Sequence, residues 1–175
     1  MPSSTPTVAP AEGRLGVLTV GLGAVASTLI AGVELAKRGL GSPIGALTQM
    51  DTIRLGKRTD NRNPMIKDFV PLARLEDIVW GAWDPFPDDA YVAATRAGVL
   101  ESGKHLEAIS DTLREIRPMK AAFERNYVKN IDAENIMGKI SKREMLNAIR
   151  ADINRFRDEK KVDRVVMIWC ASTEI

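Results

Sequence analysis

This 175-residue chain contains one cysteine, Cys170, and one histidine, His105. A lone cysteine excludes an internal disulfide and suits a reducing cytoplasm. A lone histidine excludes a histidine-rich metal site, and no zinc-ligand spacing occurs. The pair could act as nucleophile and base only if folding brought them together, and nothing local supports that. There is also no excess of one charge. Lys and Arg number 25 against 23 Asp and Glu, a net charge of +2. A dedicated nucleic-acid surface needs a concentrated basic excess, so no nucleic-acid partner is expected. Internal repeats and a G-x-S-x-G elbow are missing as well. So is a Walker loop, because Gly103-Lys104 lacks both the upstream glycine and the following Ser or Thr.

What remains is a composition of 45% apolar and 27% charged residues, long enough for one domain with a real core. The most informative stretch runs from Leu15 to Thr28. An apolar run, Leu15 to Val20, suits a strand buried on both faces. It breaks into Gly21-Leu22-Gly23-Ala24-Val25-Ala26 and continues from Ser27 to Arg38 with helical apolar spacing. Strand, glycine turn and helix are the parts of a dinucleotide-binding unit. Gly21 permits the tight turn, Gly23 lets backbone approach a pyrophosphate, and Ala26 is small enough for close packing of helix on strand. The helix start offers free N–H groups to the phosphates. A buried strand-turn-helix corner with no ligand is the competing interpretation. Leu15 to Val33 carries no charge, but four glycines, Thr19, Ser27 and Thr28 dilute it, and Met1 to Pro10 lacks a positive leader. Neither a membrane span nor a secretion signal is expected.

Residues 1–12 are rich in Pro, Ser and Thr and predict a disordered lead, with one domain over 13–175. The first helix ends at Gly39, Gly41-Ser42-Pro43 is a turn, and Ile44 to Thr48 predicts a second short strand. Asp51, 30 residues after Gly21, would then be placed to bind a ribose hydroxyl. The basic run Lys57 to Pro64 is a solvated loop or a phosphate contact. Ile78 to Asp84 predicts another buried strand with Asp84 at its carboxyl end, where α/β proteins bind ligands; a turn aspartate or helix cap is the competing interpretation, and the one the local sequence favours. Asp88-Asp89 can cap a helix over Ala90 to Gly98, and a further helix is predicted from Lys104 to Ile116. Ser141 and Glu144 form a capping-box pattern ahead of a helix over 142–159, with Leu146, Ile149, Ile153 and Phe156 on one face. Asp163 to Cys170 predicts a last buried strand, followed by small and hydroxyl residues. Strands alternating with helices give an α/β class: a Rossmann-like domain with a parallel sheet covered by helices.

Four pieces in order resemble the myo-inositol-1-phosphate synthase family. They are the glycine turn with Ser27-Thr28-Leu29; Gly45-Ala-Leu-Thr-Gln-Met-Asp-Thr-Ile-Arg-Leu-Gly56; Gly81-Ala-Trp-Asp84 with Ala90-Tyr91 and Val99-Leu100-Glu101; and Ile149 to Ile153 leading to Asp163-Arg164-Val165-Val166 and Trp169-Cys-Ala-Ser-Thr-Glu174. The resemblance covers about residues 14 to 175. It implies an NAD-dependent isomerase of cytoplasmic, tetrameric type, bacterial in style. Such an enzyme turns D-glucose 6-phosphate into inositol phosphate by oxidation, intramolecular aldol closure and reduction. The family's catalytic lysines come from a later domain, so no catalytic residue is assigned in this chain. The implied cofactor contacts are Gly21, Gly23, Ala24, Val25 and Ala26 in the glycine turn, Asp84, and the loop Cys170, Ala171, Ser172 and Thr173. The chain departs from the family at three places. Gly23-Ala24-Val25-Ala26-Ser27 replaces G-G-N-N-G, Lys120-Ala121-Ala122 stands at a P-S-I or P-S-V loop, and Ser172 replaces an asparagine. Side-chain contacts are thereby lost and backbone contacts remain. Another NAD(P)-dependent oxidoreductase domain and a non-enzymatic nucleotide-binding module are the competing functions.

Overall fold

The computed structural model describes residues 12–98, 100, 103–128 and 130–171. The expected lead therefore lies outside the described residues, apart from Glu12, as do Ser172 and Thr173. Four strands form one parallel sheet in the order β3-β2-β1-β4: β1 Leu15–Val20, β2 Ile78–Asp84, β3 Met119–Lys120 and β4 Arg164–Trp169. β1 is central. Leu15 to Val20 pair with Ile78 to Trp83 on one side and with Arg164 to Trp169 on the other. The chain places β2 and β3 to one side of β1 and then returns to the opposite side for β4. The topology therefore reverses between β1 and β4, and α/β proteins bind ligands outside the carboxyl ends of strands at such a reversal.

α1 (Ala24–Lys37) covers one face together with α4 (Ala90–Ala97), α5 (His105–Ala108) and α6 (Ser110–Glu115). Val17, Ile30, Ala31, Trp80, Leu106 and Leu113 form its core. The opposite face receives one long helix, α7 (Lys142–Lys160), whose Phe156 packs with Leu18, Trp83, Met137 and Val162. α7 approaches closely because two strand residues on that face have no side chain. A Cβ at Gly16 would stand 2.6 Å from the Phe156 ring, and one at Gly81 would stand 2.9 Å from it.

Each face also carries a buried indole tied to an acid. Trp80 Nε1 donates to Glu34 of α1 at 2.9 Å, and Trp83 Nε1 donates to Asp152 of α7 at 3.0 Å. Both acids have a cation as well, Lys37 at 2.6 Å and Arg155 at 2.5 Å. A buried carboxylate needs such partners to offset its lost hydration.

Helix starts follow the sequence. Asp89 accepts the Val92 N–H, and the Ser141–Glu144 box closes in both directions. Its bond with Ser141 holds the Glu144 carboxyl below the usual glutamate range.

Four expectations need correction. Ile44 to Thr48 is not a strand: a turn leads into the short helix α2 (Leu47–Met50), and Ile44 and Leu47 face solvent. Both neighbours of β1 are supplied by later segments, and the excursion between α1 and β2 buries none of the residues of α2 or of α3 (Ile66–Phe69). The helix expected over 104–116 is two, broken at Ile109, where the Ser110 hydroxyl donates to the Glu107 carbonyl at 2.9 Å. A hydroxyl competing for a backbone acceptor favours such breaks. Leu146 is exposed, because the stripe that packs on the sheet runs through its neighbour Met145 and then Ala148, Ile149, Ile153 and Phe156. Finally, β4 is not buried. Val166, Met167, Ile168 and Trp169 are exposed, because among the described residues β4 pairs with β1 alone.

Candidate cofactor site

The ends of β1, β2 and β4 meet around Gly21. This glycine adopts φ +96°, a left-handed conformation that side chains resist, and its N–H donates to the Trp83 carbonyl at 2.8 Å. A Cβ there would lie 2.8 Å from the backbone of Ala171. Glycine is therefore required twice over, by the turn and by the chain leaving β4. Cys170 completes the junction by donating its N–H to the Val20 carbonyl at 2.8 Å.

Gly23 is different. Its backbone is extended, with φ −75° and ψ −159°, as any residue can be, and a Cβ would meet nothing within 4 Å. Among the described residues, nothing requires a glycine at this position. It opens α1, whose first turn carries no acidic residue and no side-chain cap. The N–H groups of Ala24, Val25 and Ala26 have no partner within the helix, as at any helix start. Ala24 and Val25 are exposed while Ala26 is fully buried against the sheet. The hydroxyls of Ser27 and Thr28 turn back onto the Ala24 carbonyl, at 3.3 and 2.6 Å, and leave the approach to the helix clear. Open space above a glycine, free N–H groups and the positive end of a 14-residue helix together fit a pyrophosphate.

Asp84 closes β2 beside this turn. One carboxylate oxygen accepts the Leu22 N–H at 2.5 Å and the other accepts the Phe86 N–H at 2.9 Å. It is thus a turn aspartate and a brace for the glycine turn together. It also stands at the end of the strand next to β1, the position expected of Asp51. Asp51 instead ends α2 and is exposed, and its carboxylate accepts the N–H of Thr52. The basic run around Lys57 is solvent-exposed. Cys170 is partly buried, which pushes its thiol up and keeps it protonated, unsuited to nucleophilic attack. Among the described residues no group of three acids, histidines or cysteines could hold a metal.

Two polar residues near the strand ends were not singled out from the sequence. Asn135 reaches the ends of β2 and β3 from a loop, and no periodicity signals it. Asp152 was detectable: it falls on the apolar stripe of α7 between Ile149 and Phe156, where an unpaired acid would be out of place. Both line a cleft of about 450 Å³ with Met119, Lys120 and Arg155. Lys120 is exposed at the end of β3, paired in register with Asp84.

Comparison with known proteins places this geometry. Residues 15–175 match the NAD-binding family model described as myo-inositol-1-phosphate synthase. Inositol-3-phosphate synthase 1 of Bacteroides thetaiotaomicron is 46% identical over 169 residues, which are 96% of this chain and 38% of that protein. Inositol-3-phosphate synthase 1 of Oryza sativa subsp. japonica is 30% identical over 92% of this chain and 34% of its own length. The crystal structure of inositol-3-phosphate synthase from Caenorhabditis elegans superposes with a TM-score of 0.79 at 26% identity, covering 92% of this chain and 35% of that one. The chain therefore spans little more than a third of the relatives it matches. The glycine turn at the β1–β4 reversal and a match along nearly all of its length agree: the chain belongs to the myo-inositol-1-phosphate synthase family, as its NAD-binding part.

Proposed function

We propose that the intact protein is an inositol-3-phosphate synthase, which converts D-glucose 6-phosphate to 1D-myo-inositol 3-phosphate, and that this chain holds its NAD. The observation that carries the assignment of the site is Gly23, where no described residue requires a glycine, facing open space at the head of α1. Gly21, Gly23 and the first N–H groups of α1 receive the pyrophosphate, and Asp84 fixes the turn that presents them. The backbones of Cys170 and Ala171 border the same space from β4. Bound NAD supplies a reversible hydride acceptor, so that an oxidation and a later reduction cancel over one turnover.

The chemistry between those steps needs cations to stabilise an enolate and an alkoxide. Lys57, Lys67 and Lys104 are exposed to solvent, and the residues for that task are expected from a later domain. The relatives' greater length supports this division. A homo-oligomer, tetrameric as the family resemblance implies, and a cytoplasmic setting complete the proposal. Among the described residues no helix is long and apolar enough to cross a membrane. The test is an assay of the intact protein with NAD and glucose 6-phosphate, with the product identified by phosphorus NMR. Formation of inositol phosphate is expected. Oxidation of the sugar without ring closure would instead mark another NAD-dependent oxidoreductase, and NAD binding without any turnover would mark a binding module.

A further inference from the structure

We propose that Asn135 is a positioning residue of the cofactor site: its side-chain amide clamps the carboxyl ends of β2 and β3 and, through Asp84, fixes the glycine turn. The inference rests on the NAD site described above. Asn135 Nδ2 donates to the carbonyls of Asp84 at 2.9 Å, Met119 at 3.1 Å and Pro118 at 3.3 Å. Two amide hydrogens serve three acceptors, so one hydrogen is shared. The orientation is unambiguous, because the reversed amide would set its own oxygen against three carbonyls. Asp84 passes the constraint on. Its carbonyl is held by Asn135, while its carboxylate accepts the Leu22 N–H between the two glycines of the turn. A single chain of hydrogen bonds thus links a loop late in the sequence to the turn that follows β1.

The side chain is separable from the seating of its loop. The Asn135 backbone N–H donates to the Pro85 carbonyl at 2.9 Å, its carbonyl accepts the Ala121 N–H at 3.0 Å, and Met137 N–H donates to Ala121 at 3.0 Å. These bonds keep the loop docked when the amide is removed. Truncation would leave three carbonyls without their donor and free Asp84 to shift, carrying Leu22 with it.

The experiment compares Asn135→Ala with the parent in the intact protein. It measures NAD affinity by calorimetry and hydrogen–deuterium exchange in the peptide that contains Leu22. Asn135→Ser, whose hydroxyl can still donate to one carbonyl, is read in the same way if the alanine variant does not fold at the assay temperature. Trp80→Phe is the control, because it breaks the indole bond to Glu34 on the other side of the sheet. The expected result is NAD binding about tenfold weaker and faster exchange at Leu22 in the Asn135 variant. Trp80→Phe should lower the melting temperature and leave both readouts at the parent's values. An NAD affinity within about twofold of the parent in the folded Asn135 variant overturns the inference, as does an equal loss in Trp80→Phe. A parent that binds no NAD removes the cofactor site itself, and this positioning role with it.

Discussion

β1 and β4 lie side by side, six residues each, both written almost entirely in apolar residues, and yet they have opposite environments. The four central residues of β1 are buried, while the last four of β4 are exposed, Trp169 to 70%. Leu18 and Met167 are partners in register and face the same side of the sheet, but Leu18 is fully buried and Met167 is 55% exposed. Composition sets what a strand can bury; its position in the sheet sets what it does bury. β1 has a strand on each side and helices on both faces, whereas β4 has one neighbour among the described residues. Exposed apolar residues on an unpaired edge favour association with other chains.

The contrast can be broken or sharpened by substitution. The largest effect is expected at the centre of the sheet. Leu18→Ala should cost about 3 kcal/mol, measured as a lowered midpoint in urea with an unchanged slope. Met167→Ala, one strand away, should cost less than about 1 kcal/mol; equal losses would mean that the two strands are equally covered in solution. Next comes the junction between the strands. Gly21→Ala forces a side chain into a left-handed turn and against Ala171, and should cost about 2 kcal/mol by the same measurement. Gly23→Val, two residues on, should leave stability within about 0.5 kcal/mol and yet weaken NAD binding sharply. Calorimetry with unchanged affinity would remove the phosphate-loop assignment. The smallest effect concerns Cys170, where β4 is tied back to β1. Its thiol is held protonated by burial, so at mildly alkaline pH it should react with an alkylating reagent more slowly than a free thiol, and catch up only above the ordinary thiol range. Mass spectrometry of the alkylated peptide against pH checks this.

Much of the fold is legible in the chain because its punctuation is strong. Gly21 ends β1, Asp84-Pro85 ends β2, and the Ser141–Glu144 pair starts α7, each by local chemistry that needs no neighbour. What local chemistry does not reach is less legible. Ile44 to Thr48 has strand-like composition, but the places beside β1 go to segments much later in the chain. The site divides in the same way. Gly21 is recognisable as a turn residue, but its second reason, the backbone of Ala171, comes from the far end of the chain. Asp84 could be placed at a strand end, while its bond to Leu22 required the sheet to assemble first. Asn135, in an irregular loop, carried no signal at all.

The Phe156 ring, lodged over Gly16 and Gly81, has a consequence for how the chain assembles. The two glycines lie on adjacent strands, and each is flanked on its own face by larger residues, Leu18 and Val20 on one strand, Val79 and Trp83 on the other. A parallel pairing displaced by two residues keeps the same face toward α7, so hydrophobic patterning alone would accept it. It would, however, carry a bulky side chain under the ring and hold the helix off the sheet. The missing side chains thus tie the seating of α7 to the register of the two strands beneath it.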